Sequence, residues 1–302
     1  MVVCSTATAD DAAPRVVEDC RGVLQVLSDG TIVRSAAGAV DVPVDPSVEW
    51  KDVVYDAALG LGLRVYKPPA SSAAAFADGD AGSKLPVVVA FHGGGFCINS
   101  YATRNSTRRL AAGAGALVLS ADYSLAPEHR LPAAIDDAAA VLLWLRGRPL
   151  PLLRLSESGG ADPWLSELAD PGRVFVAGES AVGVLAHHLN VRFSGAPGVR
   201  ALHPVRLRGF VPLMPFFTGT EPTPSELRCP DDAYLNRDMS TRFARLCLPP
   251  GATADHPFLN PFGPGAPAPD AVALAPTLVV VAGDDILRDR NVEFVRRMRG
   301  MG

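Results

Sequence analysis

The chain has 302 residues, 48% hydrophobic and 20% charged, enough apolar material for one sizeable α/β core or two smaller ones. A net charge of −4 with a pI near 5.9 gives no basic footprint for nucleic acid, and the pairs Arg108–Arg109 and Arg296–Arg297 fit solvated helix faces. No run reaches the roughly 18 apolar residues of a membrane span, the N-terminus lacks a signal-like stretch, and the five cysteines are odd in number and not spaced for metal, so a cytoplasmic protein with free thiols and no metal or organic cofactor is expected.

After a polar start, GVLQVLSDGTIVRS (22–35) predicts two short strands around the Asp29-Gly30 turn, and DVVYD (52–56) with LGLRVYKP (61–68) predicts a second antiparallel pair. PPASSAAAFADGDAGSK (68–84) reads as a loop. From residue 85 the pattern changes to short continuous apolar runs, PVVVAF, ALVLSAD, RVFVAG, LRGFVPL and TLVVVAG, separated by helical segments over 104–114, 133–145, 181–193 and 240–246. Runs apolar on both faces suit a parallel sheet covered by helices, so the fold class is α/β. Pro-rich stretches at 222–230 and 261–269 read as excursions from the sheet, which gives one core domain with a small lid.

Two motifs carry chemistry. In VFVAGESAVG (174–183) a strand ends at Gly178, Ser180 follows and a helix begins, which is the setting of a nucleophile elbow as well as of an ordinary turn. In His92-Gly93-Gly94-Gly95-Phe96 three glycines let backbone N–H groups approach an acyl oxygen closely. The alternative, a phosphate loop, would need GxxxxGK[ST] or GxGxxG opening a helix, and neither pattern is present.

With DYSLAPEHRLPAAIDD (122–137), GESA (178–181) and GDDILRD (283–289) in the same order, these motifs resemble the plant carboxylesterases of the hormone-sensitive-lipase-like branch of the α/β hydrolases. The resemblance implies an α/β-hydrolase fold over 1–302, with residues 1–50 as an N-terminal lid segment and 218–250 as a second one. It implies Ser180 as nucleophile, the N–H groups of Gly94, Gly95 and Ala181 as oxyanion hole, and Asp285 as triad acid, with Asp284 a neighbour and Asp289 a helix-start residue. The partner implied is a small-molecule ester.

The sequence departs from the family pattern at three places. The triad order Ser, acid, His puts the histidine after Asp285, yet His92, His129, His187, His188, His203 and His256 all precede it. His187 and His188 lie two helical turns past Ser180, about 10–12 Å along the axis, too far to serve it. A catalytic histidine is therefore expected to be missing, together with the last strand and helix of the fold, which would leave TLVVVAG as an edge. Val182 stands where the family elbow has glycine, a β-branched residue in a tight site, and Asn99 stands where glycine is common in the family.

The function these features imply is hydrolysis of small carboxylic esters through an acyl-enzyme, impaired by the missing histidine and by Val182. The alternative is a non-catalytic ligand-binding protein resembling the gibberellin receptors, which keep serine and aspartate without histidine but read HGGSF-like where this chain has HGGGF. LMPFF (213–217) fits an apolar pocket wall or plain core.

Overall fold

The Asp29-Gly30 pair turns the chain where the sequence places it, with Gly30 at φ +88°, between β2 (Leu24–Leu27) and β3 (Ile32–Arg34). A third strand that the sequence did not announce, β1 (Val16–Cys20), pairs antiparallel with β2. These strands belong to the smaller of two compact units, Met1–Gly38 and Ala39–Gly302; the computed structural model describes residues 13–35, 46–75, 84–102, 106–147, 162–267 and 273–300. Among the cysteines, Cys20, Cys97, Cys229 and Cys247 are free thiols, and Cys4 lies outside the described residues.

The larger unit is built on one sheet. The expected pair β4 (Glu49–Asp56) and β5 (Leu61–Lys67) is antiparallel, and β5 continues into β7 (Leu117–Ala121), β6 (Leu85–Phe91), β8 (Ala169–Glu179) and β9 (Leu207–Leu213) in the spatial order β4-β5-β7-β6-β8-β9. The pairs β6–β7, β6–β8 and β8–β9 are parallel. Every residue of β7 is buried, as the unbroken apolar run requires of a strand covered on both faces.

The covering helices lie where the periodicity puts them: α2 (Ser106–Ala114), α3 (Ala133–Arg146) and α4 (Ala181–Phe193). Side chains alternate across a strand, and β8 shows the two faces: Ala177 and Phe175 belong to a buried cluster that includes Ala111 of α2, while Gly178, of opposite parity, meets Val182 of α4. A short α5 (Ala196–Leu202) leads into β9.

Two expectations are corrected. Residues 68–84 are not all loop, because the alanine-rich stretch forms α1 (Ala70–Ala75), while 76–83 lie outside the described residues. TLVVVAG is not a continuous strand; it makes two parallel bridges to β9, Phe210 to Thr277 and Leu213 to Val280. Here Phe210 N–H donates to Pro276 O and Met214 N–H to Val280 O, both at 2.9 Å. Between them stands Pro212, which has no N–H to donate, so the ladder is interrupted. Before this segment come α6 (Pro224–Arg228), within the expected excursion, and α7 (Arg237–Cys247); α8 (Arg288–Arg299) follows it.

Candidate active site

Ser180 is the single residue between β8 and α4, held at φ +60°, ψ −116°. This backbone costs of order 1–3 kcal/mol and persists only where its surroundings enforce it. Three hydrogen bonds do so: the Ser180 N–H donates to Leu213 O (2.8 Å), and its carbonyl accepts from Gly183 N–H and Phe216 N–H (2.9 Å each). The side chain is thereby presented at the C-terminal end of the sheet, in a cleft of about 340 Å³.

The same cleft takes Gly94, Gly95, Asp284 and Asp285 from the sequence-predicted set, so the structure brings the serine, the glycine loop and the paired aspartates together. Ala181 is fully buried at the first position of α4, where a backbone N–H has no intrahelical acceptor. Asp285 Oδ1 accepts the Leu287 N–H at 2.8 Å. Asp289 lies in the first turn of α8, where its carboxylate accepts the Ser225 N–H (2.7 Å) and pairs with Arg288 (2.8 Å). Burial alone would raise its pKa, but the Arg288 guanidinium and that N–H hold it below the usual carboxylate value.

The glycine loop follows β6 and cannot carry side chains. Gly93 lies against the elbow, where a Cβ would come 3.0 Å from Glu179 O and 3.5 Å from Ser180 Cβ. Gly94 has φ +123°, and a Cβ there would stand 2.5 Å from Ile98 O; at Gly95, φ +59°, it would stand 2.6 Å from Phe243 Cγ. Beneath the loop the His92 ring stacks on Tyr123 (centroids 4.3 Å), and the Tyr123 hydroxyl donates to His92 O at 2.7 Å.

None of the six histidines lines this cleft. His92 is buried under the glycine loop. His187 stands edge-on to Phe217 and Phe294, and burial, with His188 beside it, pushes its pKa down to about 3. His188 Nε2 lies 3.0 Å from Phe258 O, and burial lowers its pKa as well. His129 and His203 are exposed, and His256 packs on Phe258.

Much of the rest of the wall comes from residues inside the 218–250 stretch, none of which was singled out for the site from the sequence. Cys229, Pro230, Ala233, Tyr234 and Leu235, between α6 and α7, and Phe243 of α7 close one side. Their only local signals are caps: Thr223 with Glu226 makes a capping box for α6, and Asn236 accepts the Met239 N–H to start α7. Of LMPFF, Met214 and Phe216 line the cleft, whereas Phe217 packs on Phe294.

A family model described as the α/β hydrolase fold matches residues 88–302. Tuliposide A-converting enzyme 1, chloroplastic, of Tulipa gesneriana is 34% identical over 292 residues, covering 94% of this chain and 67% of that one. Probable carboxylesterase 6 of Arabidopsis thaliana is 34% identical over 287 residues, covering 92% and 78%. Among solved structures, EstE1, a thermostable carboxylesterase cloned from a metagenomic library, superposes with a TM-score of 0.65 at 29% identity, over 87% of this chain and 78% of that one.

Proposed function

Since the chain belongs to the α/β-hydrolase fold family, among the plant carboxylesterases of its hormone-sensitive-lipase-like branch, we propose that it acts as a serine carboxylesterase on small carboxylic esters, with turnover impaired in this chain. Ser180 Oγ attacks the ester carbonyl, the alcohol leaves, and water hydrolyses the acyl-enzyme. The N–H groups of Gly94, Gly95 and Ala181 hold the oxyanion of both tetrahedral intermediates. Asp285, one oxygen occupied by the Leu287 N–H, is the acid that would orient an imidazole. The observation that carries this reading is a serine in an enforced elbow sharing one cleft with the glycine loop and Asp285.

Impairment follows from the same cleft, because no histidine stands with Ser180 to take its proton. A second reading is a non-catalytic ligand-binding protein resembling the gibberellin receptors. A cytoplasmic location is proposed from the sequence; among the described residues no helix is long and apolar enough to cross a membrane, and the matched tulip enzyme is chloroplastic.

Hydrolysis of p-nitrophenyl acetate separates the readings. Turnover with little dependence on Ser180 is expected of the chain as given, rising by a factor of the order of 10⁶, a gain that Ser180→Ala abolishes, when a family-type C-terminal segment carrying the histidine is appended. Turnover of the extended chain that is indifferent to Ser180→Ala would remove Ser180 from the mechanism. Ligand binding without turnover, even with the histidine supplied, would establish the receptor-like reading.

A further inference from the structure

We propose that Asn99 is a positioning residue for the oxyanion hole: its side-chain amide holds the Gly93 carbonyl, and so aims the Gly94 N–H into the cleft. This rests on the esterase reading of that cleft.

The two peptides of the glycine loop are fixed in different ways. The 94–95 peptide is held by backbone alone, since Gly94 O accepts from Cys97 N–H (2.9 Å) and Ile98 N–H (3.2 Å). The 93–94 peptide is held by side chains. Gly93 O receives Asn99 Nδ2 at 3.0 Å and lies 3.0 Å from His92 Nδ1, which donates to it in the Nδ1–H tautomer. The 93–94 bond is trans, so fixing its C=O fixes its N–H on the opposite side. Gly94 has no Cβ and a φ of +123°, so nothing of its own prevents this peptide from turning over.

Residue 99 is suited to the task by two properties at once. Its backbone sits at φ +77°, a region that asparagine and aspartate enter more readily than most residues with a side chain. Its side chain lines the cleft and reaches back six residues to Gly93 with an N–H donor. Asn99→Gly keeps the backbone and loses the donor. Asn99→Asp keeps the shape but sets an acceptor against the Gly93 carbonyl, which drives the peptide over until the Gly94 N–H points at the carboxylate and away from the cleft.

The test combines crystal structures with binding of two probes. Phenylboronic acid adds to a serine Oγ as a tetrahedral anion whose oxygen needs the hole, whereas N-phenylacetamide is planar and does not. Expected are a reversed 93–94 peptide in Asn99→Asp with about 100-fold weaker boronate binding, the scale of one lost oxyanion donor. For Asn99→Gly the loss should be about fivefold, the scale of one ordinary hydrogen bond. Affinity for N-phenylacetamide should stay within about twofold in both, a split that a merely structural role would not produce. An unturned peptide with unchanged boronate affinity in Asn99→Asp would overturn the proposal. If boronate binds the native chain and Ser180→Ala equally, the esterase reading fails, and the orientation of the 93–94 peptide in the Asn99→Asp crystal then judges Asn99 alone.

Discussion

Val182 shows how one residue can depart from a motif and still fit its fold. Its side chain is fully buried and fills the space above Gly178, where a Cβ would overlap its Cβ and Cγ1. Gly183 does not share that task, because it faces Pro215 in a different direction, about 100° further round the helix. The pair Gly178 and Val182 is therefore complementary: one side chain occupies a space that admits only one. Gly178→Ala should destabilise the protein by about 1–3 kcal/mol or more through overpacking. The three atoms nearest to the added Cβ all belong to the Val182 side chain, the third at 3.3 Å, so Gly178→Ala combined with Val182→Gly should recover most of the loss. Urea unfolding of the two single variants and the double variant measures the coupling, and strictly additive effects would contradict the packing described.

At the scale of the element, α4 carries two jobs on different turns. Its first turn supplies the Ala181 N–H beside the elbow, and two turns further on His187 packs against Phe294 of α8 and Phe217. A histidine held neutral in that aromatic contact makes the packing of α4 on α8 sensitive to pH. With a folded pKa near 3 against 6.5 for the free side chain, the unfolded chain takes up the proton first as pH falls. This contribution is complete above about pH 6.5 and is lost progressively as pH falls toward 3. By pH 5 the loss amounts to about 2 kcal/mol. His188 shifts in the same direction and adds to the decline. His187→Phe should flatten the fall in urea midpoint between pH 7 and pH 5, and an unaltered slope would show that His187 does not titrate in this way.

For the whole molecule, the described sheet ends at the interrupted segment beside β9. Leu278 is 64% exposed there and Val280 39%, in a stretch that is apolar and uncharged. An exposed apolar edge is a template for pairing with another chain. Leu278→Lys should reduce light scattering at high protein concentration while leaving the melting temperature within a degree or two, because the side chain already faces solvent. Scattering that is unchanged by the lysine would place the self-association elsewhere.

The sequence by itself determined the α/β class, the family motifs and the position of each long helix, because apolar periodicity and motif spacing are local properties of the chain. It also placed Ser180 between strand and helix, and the family resemblance pointed to Asp285. Only the tertiary structure decided that Ser180, Gly94, Gly95 and Asp285 share one cleft that no histidine lines, since that depends on contacts between residues up to about 190 positions apart. It also decided the length of TLVVVAG as a strand, which is limited by Pro212 on its neighbour, and the wall formed by residues 229–235 and Phe243, which have no periodicity of their own. Asn99 illustrates the same limit: its sequence position records tolerance of a left-handed backbone, whereas its hold on Gly93 exists only once the loop has folded back on itself.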